Sequence, residues 1–227
     1  MQPADYLFVA YPSKSLDLPE GQPRPTVQLT FQINHERAYD YFKDVWHKLL
    51  IALKNYHKIY GTTAPDCVNW QPHDWSKATK GVEDRIKVTA WDGDALAGFV
   101  NLRPAFLSPH DSAKRVMYVE HMATAPGNMA TDLWERRLCH IGQALLAFSV
   151  LQSHQGGFEG LLGLHAADDS ALSYYDKLND DFGGRLFLDK TLEISAPWPY
   201  GDKAKSRPYL ETTLAGALEL LEAYRYE

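Results

Sequence analysis

The stretch from Val116 to Leu178 narrows the possible folds more than any other part of this chain, because it alternates a strand, a helix, a second strand and a second helix. RVMYVEHMAT (115–124) is a β-rich run. Beyond it, Leu138, Ile141, Leu145, Phe148 and then Leu151 or Gln152 recur at helical spacing, and Gln155-Gly156-Gly157 closes that run. FEGLLGLHA (158–166) is short and apolar, as suits a buried strand, and Asp168 or Asp169 can cap a helix reaching to about Leu178. Strand, helix and strand in one sheet form a right-handed parallel crossover. The chain is therefore expected to be α/β, with at least one parallel strand pair.

The flanking segments add mostly antiparallel structure. YLFVAY (6–11) and TVQLTFQI (26–33) read as strands joined by a loop holding Pro19, Gly21, Pro23 and Pro25. Asn34 can cap a helix from His35 to about Tyr60, where Tyr39, Phe42, Val45, Trp46, Leu49, Leu50, Leu53 and Tyr56 recur at three and four and Gly61 ends the run. TTAPDCVNWQPHDWSKATKG (62–81) reads as a loop or short helix near a cleft. VEDRIKVTAW (82–91) and ALAGFVNLRP (95–104) flank Asp92-Gly93-Asp94, a hairpin signal, and with 115–124 they make an antiparallel meander. RLFLDKTLEI and PYLETT follow as strands, then a helix from about Ala215 to Tyr224. We expect one domain over 1–227, with 1–33 as an N-terminal strand and loop extension. Its core would be a mixed, mostly antiparallel sheet of about six or seven strands, splayed near Glu120 and flanked by helices.

Composition excludes several function classes. A net charge of −6 without a basic run argues against a nucleic-acid surface and faintly favours a cationic or amine partner. Two cysteines, Cys67 and Cys139, show no metal-binding or disulfide spacing, which fits a reducing cytoplasm. The N-terminus has no basic region ahead of a long apolar run, and no apolar window approaches a membrane span, so neither a signal peptide nor a membrane segment is expected. The nine histidines are scattered without the spacing that puts two ligands on one helical face, so no metal is expected.

A helix start presents unpaired N–H groups and a partial positive charge, and so suits phosphate. The helix after 115–124 opens around Arg137-Leu138-Cys139-His140-Ile141-Gly142. There the chain resembles the GNAT superfamily of N-acetyltransferases, whose coenzyme A pyrophosphate loop reads Gln/Arg-x-x-Gly-x-Gly/Ala before a leucine-rich helix. Arg137 and Gly142 match its ends, Ala144-Leu145-Leu146 match the helix, and His140 stands where the first glycine is usual. Glu120, four residues before Thr124-Ala125-Pro126, resembles the family's strand carboxylate before a Val-x-Pro-like step. Gly163-Leu164-His165 and Ala171-Leu172-Ser173-Tyr174-Tyr175-Asp176 resemble the next strand and its Ala-x-x-Phe-Tyr-Glu helix. Asp168 replaces an Asn often found in that family, and residues 127–136 form an insertion before Arg137.

The resemblance implies a GNAT-like fold and acetyl-CoA as acyl donor. It places the cofactor against the backbone of Met122 and Thr124 and against Arg137, Leu138, His140, Ile141, Gly142, Gln143 and Asp168. Glu120 would take a proton from an amine arriving as ammonium, and Tyr175 would serve the departing thiolate as acid. Acetyl would pass by direct attack in a ternary complex to a small-molecule or peptide amine, in a cytoplasmic enzyme that forms a homodimer or acts alone. The plainer readings remain open: Glu120 as a solvated carboxylate or partner of Arg115 or Lys114, Tyr175 as a packing ring, and the whole as a coenzyme-A-binding or interaction module without transfer chemistry.

Overall fold

A computed structural model describes residues 7–12, 26–33, 37–62, 85–128, 137–166, 169–188, 192–195 and 206–225. The expectations for 63–84, for Asn34 as a cap and for Asp168 lie outside the described residues. In chain order the elements are strands β1 (Leu7–Pro12) and β2 (Val27–Ile33), helix α1 (Arg37–Tyr41), a π-helical segment (Phe42–Trp46) and helix α2 (His47–Tyr60). Strands β3 (Ile86–Asp92), β4 (Ala95–Leu107) and β5 (Arg115–Thr124) follow, then a 3-10 turn (Pro126–Asn128), strand β6 (Leu138–Cys139) and helix α3 (Ile141–Gln155). Last come β7 (Leu162–His165), helix α4 (Asp169–Asp181), β8 (Glu193–Ser195), β9 (Ser206–Glu211) and helix α5 (Leu214–Tyr224). Strand order is β6-β1-β2-β3-β4-β5-β7-β9-β8. The fold is mixed α/β, with a mostly antiparallel sheet and helices, as expected.

The chain divides into two compact units: Met1–Asn101 with His121–Leu145 and Arg225–Glu227, and Leu102–Glu120 with Leu146–Tyr224. In the first, β1 and β3 each pair antiparallel with β2, and Thr30 stands opposite Leu7 on one side and Trp91 on the other. Its core gathers Ala38, Phe42, Trp46 and Leu50 with Trp91, Leu96, Phe99 and Ala125. Those four helical residues are spaced by four, which on a regular helix advances each contact about 40° too far per step. The π segment corrects the drift. Its N–H bond from His47 to the Phe42 carbonyl spans five residues, widens the turn and keeps the stripe in line. Trp46 Nε1 then donates to the Leu96 carbonyl at 3.1 Å.

In the second unit β5 and β7 pair in parallel, Met117 with Leu162, Tyr118 with Gly163 and Val119 with Leu164, which is the expected crossover. β9 pairs antiparallel with β7, Gly163 opposite Glu211 and His165 opposite Tyr209, and β8 pairs antiparallel with β9. Strand alternation sorts these residues onto two faces. Met117, Val119, Leu162, Leu164 and Leu210 make an apolar one, while Tyr118, Glu120, His165, Tyr209 and Glu211 share the other; all but His165 are buried.

Three expectations need correction. Among the described residues the sheet has nine strands rather than about six or seven, because β6 and β8 are two and three residues long and too short to carry a period. The third helix begins at Ile141, late in the run Arg137–Gly142 where it was expected to open, and excludes Leu138, because Leu138 and Cys139 pair with Pro12 and Tyr11 of β1 instead of coiling. RLFLDKTLEI is not one strand: Phe187 makes a single bridge to Thr212, and β8 covers Glu193–Ser195 alone.

Candidate active site

The first unit contains a neck built almost wholly of backbone. Past β5, the Ala125 N–H donates to the Ala97 carbonyl at 2.8 Å, and Pro126–Asn128 turns. The Gly127 carbonyl accepts from the Arg137 N–H at 3.1 Å, and Asn128 Oδ1 accepts from the Leu138 N–H at 3.1 Å. The other arm of the Asn128 amide reaches the Ala97 carbonyl at 3.3 Å. Gly127–Asn128 and Arg137–Leu138 therefore lie side by side, so the helix start sits close to the end of β5. β6 then ties the chain to β1, which gives the N-terminal extension a role in holding this neck.

At the next residue, His140 takes φ 64, the left-handed conformation that glycine adopts freely and most side chains avoid. Glycine takes this conformation without strain, so the backbone here has a shape that histidine holds at a cost. The first helical bond runs from the Ala144 N–H to the His140 carbonyl at 3.0 Å, and helix geometry leaves the N–H groups of Ile141, Gly142 and Gln143 without an intrahelical partner. Gly98 of β4 lets that first turn sit close: a Cβ there would lie 2.8 Å from Ile141 Cγ2 and 2.9 Å from Leu145 Cδ1.

Around the neck lies a cavity of about 230 Å³ whose lining includes Tyr41, Trp46, Asp92, Ala97, Asn128 and Arg137. The Arg137 guanidinium is largely exposed and pairs with Asp92. Leu138 and Ile141 are buried, whereas Met122, Thr124, His140, Gly142 and Gln143 are half-buried.

The second unit carries a site built of side chains. The Tyr118 hydroxyl lies 2.8 Å from His165 Nδ1, and the two rings meet edge-on at 5.7 Å. Burial holds that phenol far above its ordinary range; Glu120 and Tyr175 add to the effect, while Arg103 and Arg207 oppose it. Glu120 and Tyr175, the two residues singled out for catalysis, thus both act on one hydroxyl. Burial, with help from the Arg207 charge, pushes the His165 imidazole down to about 4. The ring is neutral at pH 7. The Ile194 backbone lies near enough to favour a proton on it, though short of a hydrogen bond at Nε2.

That face continues into a closed polar network. Glu211, 2% exposed, accepts from Ser108 at 3.0 and 2.8 Å and from Tyr209 at 2.8 Å. Gly163 makes room for the phenol, since a Cβ there would lie 2.3 Å from Tyr209 Oη and 3.0 Å from Cζ. Tyr175 is buried, its ring edge-on to Phe187 at 6.0 Å and to Tyr174 at 5.2 Å, and burial pushes its phenol up to about 12.

Strand alternation already places Tyr118 on the face of Glu120 in the sequence, and His165 falls on the neighbouring strand; Arg103 and Arg207 were missed as members of this group. Nothing local joins Arg207 to it, because β9 reaches that face only through pairing with β7. No described helix is long and apolar enough to cross a membrane.

No protein-family model and no curated protein matches the chain. Among solved structures, it is similar to the spermidine N-acetyltransferase of Vibrio cholerae (12% identity, TM-score 0.47, covering 84% of this chain and 98% of that one). It is also similar to the ribosomal-protein-S18-alanine N-acetyltransferase of Escherichia coli (11%, 0.46, 81% and 92%) and to an acetyltransferase of the GNAT family from Streptococcus pneumoniae (11%, 0.43, 81% and 98%). At these scores the likeness is a distant one, to acetyltransferases that include a named member of the GNAT family.

Proposed function

We propose that this protein is an acetyl-CoA-dependent N-acetyltransferase. The observation that carries the reading is His140 at φ 64, immediately before a helix whose first N–H groups lack intrahelical partners. Unpaired N–H groups at the positive end of a helix dipole suit a pyrophosphate, and they ask little of the side chains around them. Ile141, Gly142 and Gln143 would supply those groups, and Met122 and Thr124 would meet the acyl arm through their backbones.

The reaction joins the acceptor nitrogen to the acetyl carbon and breaks the carbon–sulfur bond. An ammonium acceptor must first release a proton, which Glu120 takes directly or through water. The neutral amine attacks the carbonyl, the electron pair leaves on sulfur, and the nitrogen loses its second proton as the amide forms. The products are an N-acetyl amine, coenzyme A thiol and one proton. Tyr175 enters as a hydrogen-bond donor. Its pKa of about 12 stays well above that of an ordinary thiol near 8.5, so handing the proton over would be uphill by roughly 5 kcal/mol. Donating a hydrogen bond to the thiolate while keeping the proton is the cheaper course, and water protonates the sulfur afterwards.

Free-thiol release from acetyl-CoA with a panel of amines tests this reading. Glu120→Gln should lower kcat by roughly a hundredfold or more, and Tyr175→Phe by roughly 10- to 100-fold. Acetyl-CoA binding without turnover, unaltered by either change, would instead make the protein a binding module.

A further inference from the structure

The hairpin turn Asp92-Gly93-Asp94, between β3 and β4, carries two carboxylates, and an arginine from a different element holds each. Arg37 of α1 pairs with Asp94 at 3.2 Å, where both side chains are well exposed. Arg137 of the neck pairs with Asp92, which is only 22% exposed and so the less screened of the two acids. Asp92 and Arg137 both line the cavity beside the neck. Among the described residues each is the other's only side-chain partner. Arg137 is also the only lysine or arginine among the described residues from Ala125 to Gln143, and it stands four positions before Ile141, the first of the N–H groups assigned above to a pyrophosphate. A guanidinium has five N–H donors and suits phosphate oxygens as well as carboxylate ones. Two anions, one built into β3 and one brought by the cofactor, therefore draw on a single cation. Asp92 offsets the charge of that cation and holds its side chain to the end of β3, so phosphate is bound against it.

We infer that Asp92 restrains the affinity for coenzyme A and its thioesters by competing with their pyrophosphate for Arg137. The inference rests on the acetyl-CoA reading above and adds to it a residue that acts through Arg137. Acetyl-CoA and the coenzyme A product carry the same phosphates, so the restraint acts on both alike and shortens the stay of the product.

The test is calorimetry of the full-length protein with acetyl-CoA, with coenzyme A and with S-acetylpantetheine, which has no phosphate. Asp92→Asn should tighten acetyl-CoA and coenzyme A by the same factor, roughly three- to fivefold, the worth of one exposed ion pair. S-acetylpantetheine should bind as before. Arg137→Gln should weaken both phosphate-bearing ligands, and adding Asp92→Asn to it should bring no gain. Asp94→Asn removes a carboxylate from the same turn but frees a different arginine, so it should leave both affinities nearly unchanged. In turnover, Asp92→Asn should lower the inhibition constant of coenzyme A by the factor found in binding. Equal or weaker binding in Asp92→Asn would overturn the inference. So would a gain that persists without Arg137 or is matched by Asp94→Asn, which would reduce Asp92 to general surface charge. If the wild type and Asp92→Asn both fail to bind acetyl-CoA, the function proposed above falls and this inference with it; binding without the gain removes this inference alone.

Discussion

The neck before α3 and the polar face of the second unit are built by opposite means. The neck is made of N–H and carbonyl groups, pinned by Gly127, Asn128 and β1, and it includes His140 in a left-handed conformation that glycine adopts more readily. The polar face is made of side chains, and each depends on a neighbour: Tyr118 on His165, and Tyr209 and Ser108 on Glu211. A backbone-built site should therefore absorb substitutions that a side-chain-built one cannot.

Gly163→Ala should break that contrast most visibly. The new methyl would collide with Tyr209 and pull its hydroxyl from a buried carboxylate, adding overpacking to a lost charged hydrogen bond, a cost of roughly 3–5 kcal/mol. Urea unfolding measures it, and a loss below about 1 kcal/mol would mean that the face adjusts as freely as the neck.

A smaller effect is expected from pH. The folded protein holds His165 near 4 against an ordinary value of about 6.5, so between those limits the unfolded chain binds more protons than the native one. The stability this neutral ring contributes is complete above about 6.5 and is lost as pH falls towards 4. The urea midpoint should decline through that window in the wild type, and less steeply in His165→Gln. Equal slopes would remove the Tyr118–His165 pair from the account.

The smallest effect belongs to the neck. Left-handed φ costs a side-chain-bearing residue about 1–2 kcal/mol, and glycine returns part of that gain by loosening the unfolded chain, so His140→Gly should stabilise by up to about 1 kcal/mol. Acetyl-CoA affinity should hardly change. A loss of binding in His140→Gly would make the imidazole itself a ligand and the neck a side-chain site after all.

The same contrast governs what could be read from the sequence. β5 was placed from Arg115 to Thr124 by its β-rich composition, and the β5–α3–β7 crossover followed from the order of the elements, because both are local properties. The start of α3 was misplaced because Leu138 fits the helical spacing of Ile141 and Leu145, while its actual partner, β1, lies far away in the chain. The π segment was invisible for a related reason: a stripe spaced by four looks like an ordinary helix until the drift is followed through Ala38, Phe42, Trp46 and Leu50. Glu120 and Tyr175 were found through family-like neighbours. Arg103 and Arg207 carry no such signal, since only strand pairing brings β9 to the face that holds Tyr118.

The central claim is that the neck before α3 holds acetyl-CoA, and isothermal titration of the full-length protein with acetyl-CoA tests it most directly. Saturable binding at one site per chain, complete below roughly 1 mM and retained in His140→Gly, is the result this structure predicts; the absence of saturable heat at that concentration would contradict it.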